Sequence, residues 1–123
     1  MAGHMKLQVW KENVAVDREG VKRPASTVQL SELDTLYGHK AWWGEYSAPG
    51  YMDKTDPVGP NHSPERAAVD AFDMYGDLDS LADRQELVEV MRNLGVPYAR
   101  IAEVLGIDTD PEWAVKAWVR EED

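Results

Sequence analysis

Polar and apolar residues alternate through Lys6-Leu7-Gln8-Val9-Trp10, the period of a half-buried strand, and Val14-Ala15-Val16 either continues that strand or returns along it. Asp17-Arg18-Glu19-Gly20 supplies turn chemistry, and Pro24 lies in an extended or loop stretch. Ser26-Thr27-Val28-Gln29-Leu30 reads as a short extended piece. Ser31-Glu32-Leu33-Asp34 matches a capping box, so a short helix is predicted from Ser31, with Gly38 at its C′ position. His39 to Tyr46 is aromatic-rich and reads as a strand. Ser47-Ala48-Pro49-Gly50 places Pro and Gly at the two central turn positions, and Tyr51 to Val58 is predicted to return as the second arm of a hairpin. Pro57 and Pro60 cannot donate to a ladder, which makes that arm an edge strand or ends it early. Gly59 to His62 reads as a loop.

Past this point the period changes from two to 3.6. Ser63-Pro64-Glu65 opens a helix with a hydroxyl cap, Pro at the first position and an acid in the first turn. Ala68, Phe72 and Tyr75 form its apolar stripe, and Gly76 closes it. After the polar link Asp77-Leu78-Asp79, Ser80-Leu81-Ala82-Asp83 is a second capping box. Leu87, Met91 and Leu94 recur at helical spacing, with Val88 and Val90 beside them, up to Gly95. Pro97 starts a third helix, whose Ile101, Ala102 and Leu105 face inward until Gly106. Asp110 and Pro111 open a fourth. Its apolar set (Trp113, Ala114, Val115, Ala117, Trp118 and Val119) is wide enough for burial on more than one side.

The expected fold class is therefore α+β: a small antiparallel β-sheet with a covering helix over residues 6–76, then a three-helix, helix-turn-helix-like segment over 77–123. The helical part is small for a core of its own, so one compact unit is expected. Residues 1–5 (MAGHM) read as a cloning remnant and carry no fold information.

Charge changes this picture more than composition does. The 123 residues carry a net charge of −10. Residues 1–62 hold eight acidic and seven basic side chains, whereas residues 63–123 hold fifteen and six, so the acidity belongs to the second half. Such a field repels phosphates and anionic membranes and favours basic partners, although acidic surfaces also serve solubility alone. Cysteine is absent, which excludes disulfides, thiolate nucleophiles and Cys-based zinc sites. No apolar run is long enough to span a bilayer. With no secretory pattern at the start, a cytoplasmic protein is expected.

Arg84 to Val119 resembles the helix-turn-helix segments of bacterial and phage regulators, through Gly95-Val96-Pro97, then Ile101 to Ile107 with Gly106 at the turn, then a capped helix. Two departures stand out. Glu112 occupies a position the family pattern gives to an apolar residue. The last helix also offers DNA only Lys116 and Arg120 as cations. A second stretch, Trp43 to Asp56 (WGEYSAPGYMDKTD) followed by Ser63-Pro64-Glu65-Arg66-Ala67-Ala68 and Tyr75-Gly76-Asp77, resembles small uncharacterised proteins of phages and prophages. That resemblance implies a phage or mobile-element accessory protein acting in the host cytoplasm, and assigns no residue roles.

Candidate chemistry is sparse. Trp42 and Trp43 fall on opposite faces of a strand, so one is free to enter the core. Trp43, Tyr46 and Tyr51 are candidate aromatic anchors for a protein partner, or else sheet packing. Asp70, Asp73, Asp77, Asp79, Glu86 and Glu89 are the candidate acidic contacts. Asp53 and Asp56 are too few ligands for a divalent cation, and His39 and His62 lie far apart in sequence. No nucleophile motif, phosphate loop or dinucleotide fingerprint is present. The expectation is a non-enzymatic protein without cofactor or metal. It would bind a host protein that has a basic surface, and would act in the sharpest form as a nucleic-acid mimic. The alternative is a DNA-binding regulator using Lys116 and Arg120. Direct nucleic-acid contact and membrane association are not expected, and a homodimer is compatible with the apolar last helix.

Overall fold

The computed structural model describes residues 6–47, 56–107 and 110–120, the side chain of Tyr75 excepted. Four antiparallel strands form one sheet in the order β2-β1-β3-β4: β1 Lys6–Asp17, β2 Lys22–Pro24, β3 Leu33–Ser47 and β4 Val58–Asn61. Four helices follow: α1 Pro64–Tyr75, α2 Leu81–Asn93, α3 Tyr98–Leu105 and α4 Pro111–Trp118. This is the α+β class that the change of period predicts.

Val14-Ala15-Val16 continues β1 rather than returning along it. The turn at Asp17 forms as expected: its carboxylate accepts from Arg23 and from the amides of Val21 and Glu19, and those bonds hold its pKa below the usual aspartate range. The region after β2 departs from expectation. Ala25–Thr27 and Leu30–Glu32 are 3-10 turns, not an extended piece. The capping-box helix at Ser31 does not form either; Leu33 to Gly38 is the first half of β3, paired as Leu33↔Asp17, Thr35↔Val16 and Leu36↔Ala15. A helix ended by Gly38 would be too short to recover its nucleation cost, whereas the long partner β1 satisfies the same amides. The Asp34 carboxylate accepts from the neighbouring Thr35 hydroxyl instead of capping.

The hairpin tip around Pro49-Gly50 and the residues Tyr51 to Thr55 lie outside the described residues. Among the described residues the returning strand is β4, so Gly59 to Asn61 is strand and not loop. Trp42 pairs with Asn61 and Gly44 with Val58. β4 is an edge strand, the position that Pro57 and Pro60 require.

Each sheet face has its own core. On one face Leu7 and Tyr46, opposite each other on β1 and β3, join Ala68, Ala71 and Phe72 of α1, Leu87 and Met91 of α2, Ile101 of α3 and Val115 of α4. On the other face Trp10 and Trp43 pair across the strands and pack with Val14 and Ala41. The outer strands β2 and β4 also touch, so the sheet curls around this second cluster. Trp43 is fully buried within the curl, and its indole N–H donates to the Glu12 carbonyl at 3.2 Å.

Gly44 sets how closely α1 can approach. A β-carbon there would stand 2.4 Å from the Ala67 carbonyl oxygen and 2.9 Å from the Ala71 β-carbon, so α1 rests backbone-to-backbone on β3. Caps form where the sequence places them: Ser63 accepts from the Arg66 amide, Ser80 from Asp83 and Asp110 from Trp113. The carboxylate of Asp83 takes the Asp77 amide at 3.0 Å, which ties the α1–α2 link to α2. Gly106 closes α3 with a left-handed φ of 74°. α4 buries Ala114 and Val115 but leaves Trp113 63% exposed, so its apolar set is not covered all round.

Glu65, almost buried at the start of α1, joins Arg100 of α3. Burial pushes the Glu65 carboxyl up, but the Arg100 hydrogen bond and charge outweigh it and hold it below the ordinary range.

Two outcomes are expected. Gly44→Ala forces α1 away from β3 and lowers stability by roughly 1–3 kcal/mol, read as a lower urea midpoint at unchanged slope. Glu65 binds protons less readily folded than unfolded, so its contribution is complete above the unfolded value near 4.5 and fades as pH falls through the lower folded value. Arg100→Gln removes that depression and leaves the burial, so acid unfolding by circular dichroism begins at a higher pH than in the wild type.

Candidate functional site

The α1–α2 corner brings charge and apolar surface together. α1 turns Ala67, Ala68, Ala71 and Phe72 inward, which leaves Asp73 and Met74 on its outer side; Met74 is 51% exposed. The link then presents Asp77 and Asp79 on either side of Leu78, itself 59% exposed. The corner is held in shape from below. Arg84 of α2 donates to the Leu78 carbonyl at 2.7 Å, and Asp77 accepts the Asp79 amide at 2.9 Å. Two exposed apolar side chains are thus interleaved with three exposed carboxylates on a braced turn.

Three arginines of the helical half, Arg84, Arg92 and Arg100, are engaged elsewhere. Arg84 also donates to the Trp118 carbonyl at 2.7 Å and Gln85 to that of Val119 at 3.1 Å, so both satisfy orphan carbonyls at the end of α4. Arg92 donates to the Val96 carbonyl and lies 4.2 Å from the centre of the Tyr98 ring. Arg100 bridges Glu65 and Glu103. Asp70, Asp73, Asp77, Asp79 and Glu89 make no ion pair among the described residues. The acidity of this half is therefore left facing outward at the corner and along α2.

The residues expected to act together divide. Trp43 and Tyr46 are core residues, 0% and 8% exposed, and are not available as anchors. The reason is local: the curl of the sheet encloses Trp43, and the α1 face covers Tyr46. Tyr51 lies outside the described residues. Asp73, Asp77, Asp79 and Glu89 are exposed, and Asp70 is half-buried. Glu86 is half-buried and accepts the Leu7 amide at 3.0 Å, so it joins α2 to β1. Of the alternative DNA contacts, Arg120 is exposed, while Lys116 is paired with Glu112 at 2.8 Å and lies 5.6 Å from the Tyr98 ring.

Sequence reading passed over Met74 and Leu78. Their signal was present: Met74 stands off the apolar stripe of α1, and Leu78 is an apolar residue in an otherwise acidic link. It also separated His39 from His62. The fold brings both to the wall of one cavity of about 390 Å³, together with Lys11, Lys22 and Lys40. His39 reaches it through a bulge. Tyr37, Gly38 and His39 of β3 stand opposite Val14 alone, because Asn13 pairs with Lys40 and Ala15 with Leu36. Among the described residues no helix is long and apolar enough to cross a membrane.

No protein-family model matches this chain, and neither a curated protein nor a solved structure matches it. Among the described residues Asp73 and Asp79 make no hydrogen bond or ion pair through their side chains, so Asp73→Asn and Asp79→Asn are expected to shift stability by no more than about 0.5 kcal/mol in denaturant titrations.

Proposed function

We propose that this protein is a non-catalytic binding protein that engages a basic, partly apolar protein surface through the α1–α2 corner. The observation that carries this reading is the interleaving of exposed Met74 and Leu78 with Asp73, Asp77 and Asp79. Apolar anchors inside a charged rim are the anatomy of a protein interface, with the anchors supplying affinity and the charges supplying on-rate and register. Asp73 also lies near the C-terminal end of α1, where a negative charge opposes the helix dipole. Its presence there is not explained by helix stability.

A partner of this chemistry is a groove whose walls carry Lys and Arg, including one that ordinarily accepts nucleic acid. In the phage or mobile-element setting suggested by the hairpin resemblance, that partner is a host protein, and the corner acts as a partial mimic of phosphates. Direct DNA reading by α4 has less support, because Glu112 neutralises Lys116 on the exposed face, and Arg120, the other cation there, lies past the end of the helix.

The test uses the whole chain as bait in host lysate at rising salt. Proteins that depend on the corner are released as screening grows. They are expected to be lost with Asp73→Lys and with the Met74→Ser/Leu78→Ser double variant, but kept with Glu32→Lys, a charge reversal on the sheet side. Retention by all three variants, or a sequence-dependent shift of duplex DNA by the wild type, overturns the reading.

A further inference from the structure

The cavity where the four strands meet the approach to α1 has a chemistry opposite to that of the corner. Lys11 comes from β1, Lys22 from β2, His39 and Lys40 from β3, and Asn61 from β4, with His62 just beyond it. Among the described residues no carboxylate lines this cavity, and none of the three lysines forms an ion pair. In a chain of net charge −10, three ammonium groups lining one cavity repel one another. Asn61 adds a separate sign. Its side-chain amide nitrogen is buried without a hydrogen-bond partner, a condition that native structures rarely leave unexplained. The wall is completed by the half-buried indole of Trp42, with the Lys11 ammonium 5.7 Å from its ring centre.

We propose that this cavity binds a small phosphate-bearing anion. Three lysine point charges, two imidazoles and an amide donor suit a ligand with two or more negative charges and several acceptor oxygens. The volume of about 390 Å³ falls in the range of small-molecule sites, roughly 300–1,000 Å³. A nucleic acid backbone fits less well, since it needs an extended basic track and would meet the repulsion of the helical half. Trp42 offers a flat face to a base, so a free pyrophosphate and a nucleoside diphosphate share the recognised chemistry and differ only in the use of that ring. This inference does not depend on the α1–α2 corner.

The experiment is calorimetric titration of the whole chain with pyrophosphate and, separately, with ADP at low ionic strength. The imidazole resonances of His39 and His62 are followed by NMR in the same samples. One saturable site is expected, with both histidines shifting and the melting temperature rising with ligand. Lys22→Gln and Lys40→Gln should each weaken binding about tenfold, the loss of one charge-assisted contact. Lys6→Gln, away from the cavity, should leave binding unchanged. Equal affinity for the two ligands identifies phosphate alone as the recognised group. Tighter ADP binding with quenched tryptophan fluorescence identifies a nucleotide. Absence of saturable binding at millimolar concentrations of either ligand overturns the proposal. So does binding that Lys22→Gln and Lys40→Gln leave intact, or displacement of pyrophosphate by duplex DNA.

Discussion

α1 lies on β3 with nothing between the two backbones but the α-carbon of Gly44, and most of the molecule is arranged around that contact. Ala67 and Ala71 are small for the same reason that residue 44 is glycine. Because the helix sits so low, Phe72 reaches Leu7 and Tyr46 on the sheet while α2 and α3 still close over it. A wider spacing would separate the sheet face from Leu87, Met91 and Ile101, which share its core. Glu65 and Arg100 secure the same helix at its first turn, and Asp83 secures the link that leaves it.

Local chemistry could be read directly from the residues. The caps at Ser63, Ser80 and Asp110 depend on atoms three residues away, and each forms where the pattern requires it. Opposite faces for Trp42 and Trp43 follow from strand geometry alone. Which of the two is enclosed does not, because the enclosure of Trp43 depends on β2 and β4 meeting across the sheet. The helix expected at Ser31 fails on the same distinction. Its capping signal is local and real, but β1 offers a partner of twelve residues that a single-segment reading cannot weigh.

The two charged regions show this contrast most sharply. The acids of the corner lie close together in sequence, and their clustering was visible as a net charge on residues 63–123. The lysines and histidines of the cavity are spread from Lys11 to His62, on β1, β2, β3 and just past β4; in sequence they are scattered residues in a nearly neutral half. Only the register of the sheet, with its bulge at Tyr37 to His39, collects them. The bulge also breaks the alternation by which His39 would be assigned a face.

α1 itself runs from one of these regions to the other. It begins two residues after His62 at the cavity and ends two residues before Asp77, a span of twelve residues or about 18 Å. Its peptide dipoles point the same way as the side-chain charges, positive at the cavity end and negative at the corner. The molecule is therefore an electric dipole despite its large net charge. A charged body meeting it in solution exerts a torque before contact is made: a polycation draws the corner forward, and a small polyanion arrives from the sheet end. The first encounter is thus oriented rather than random.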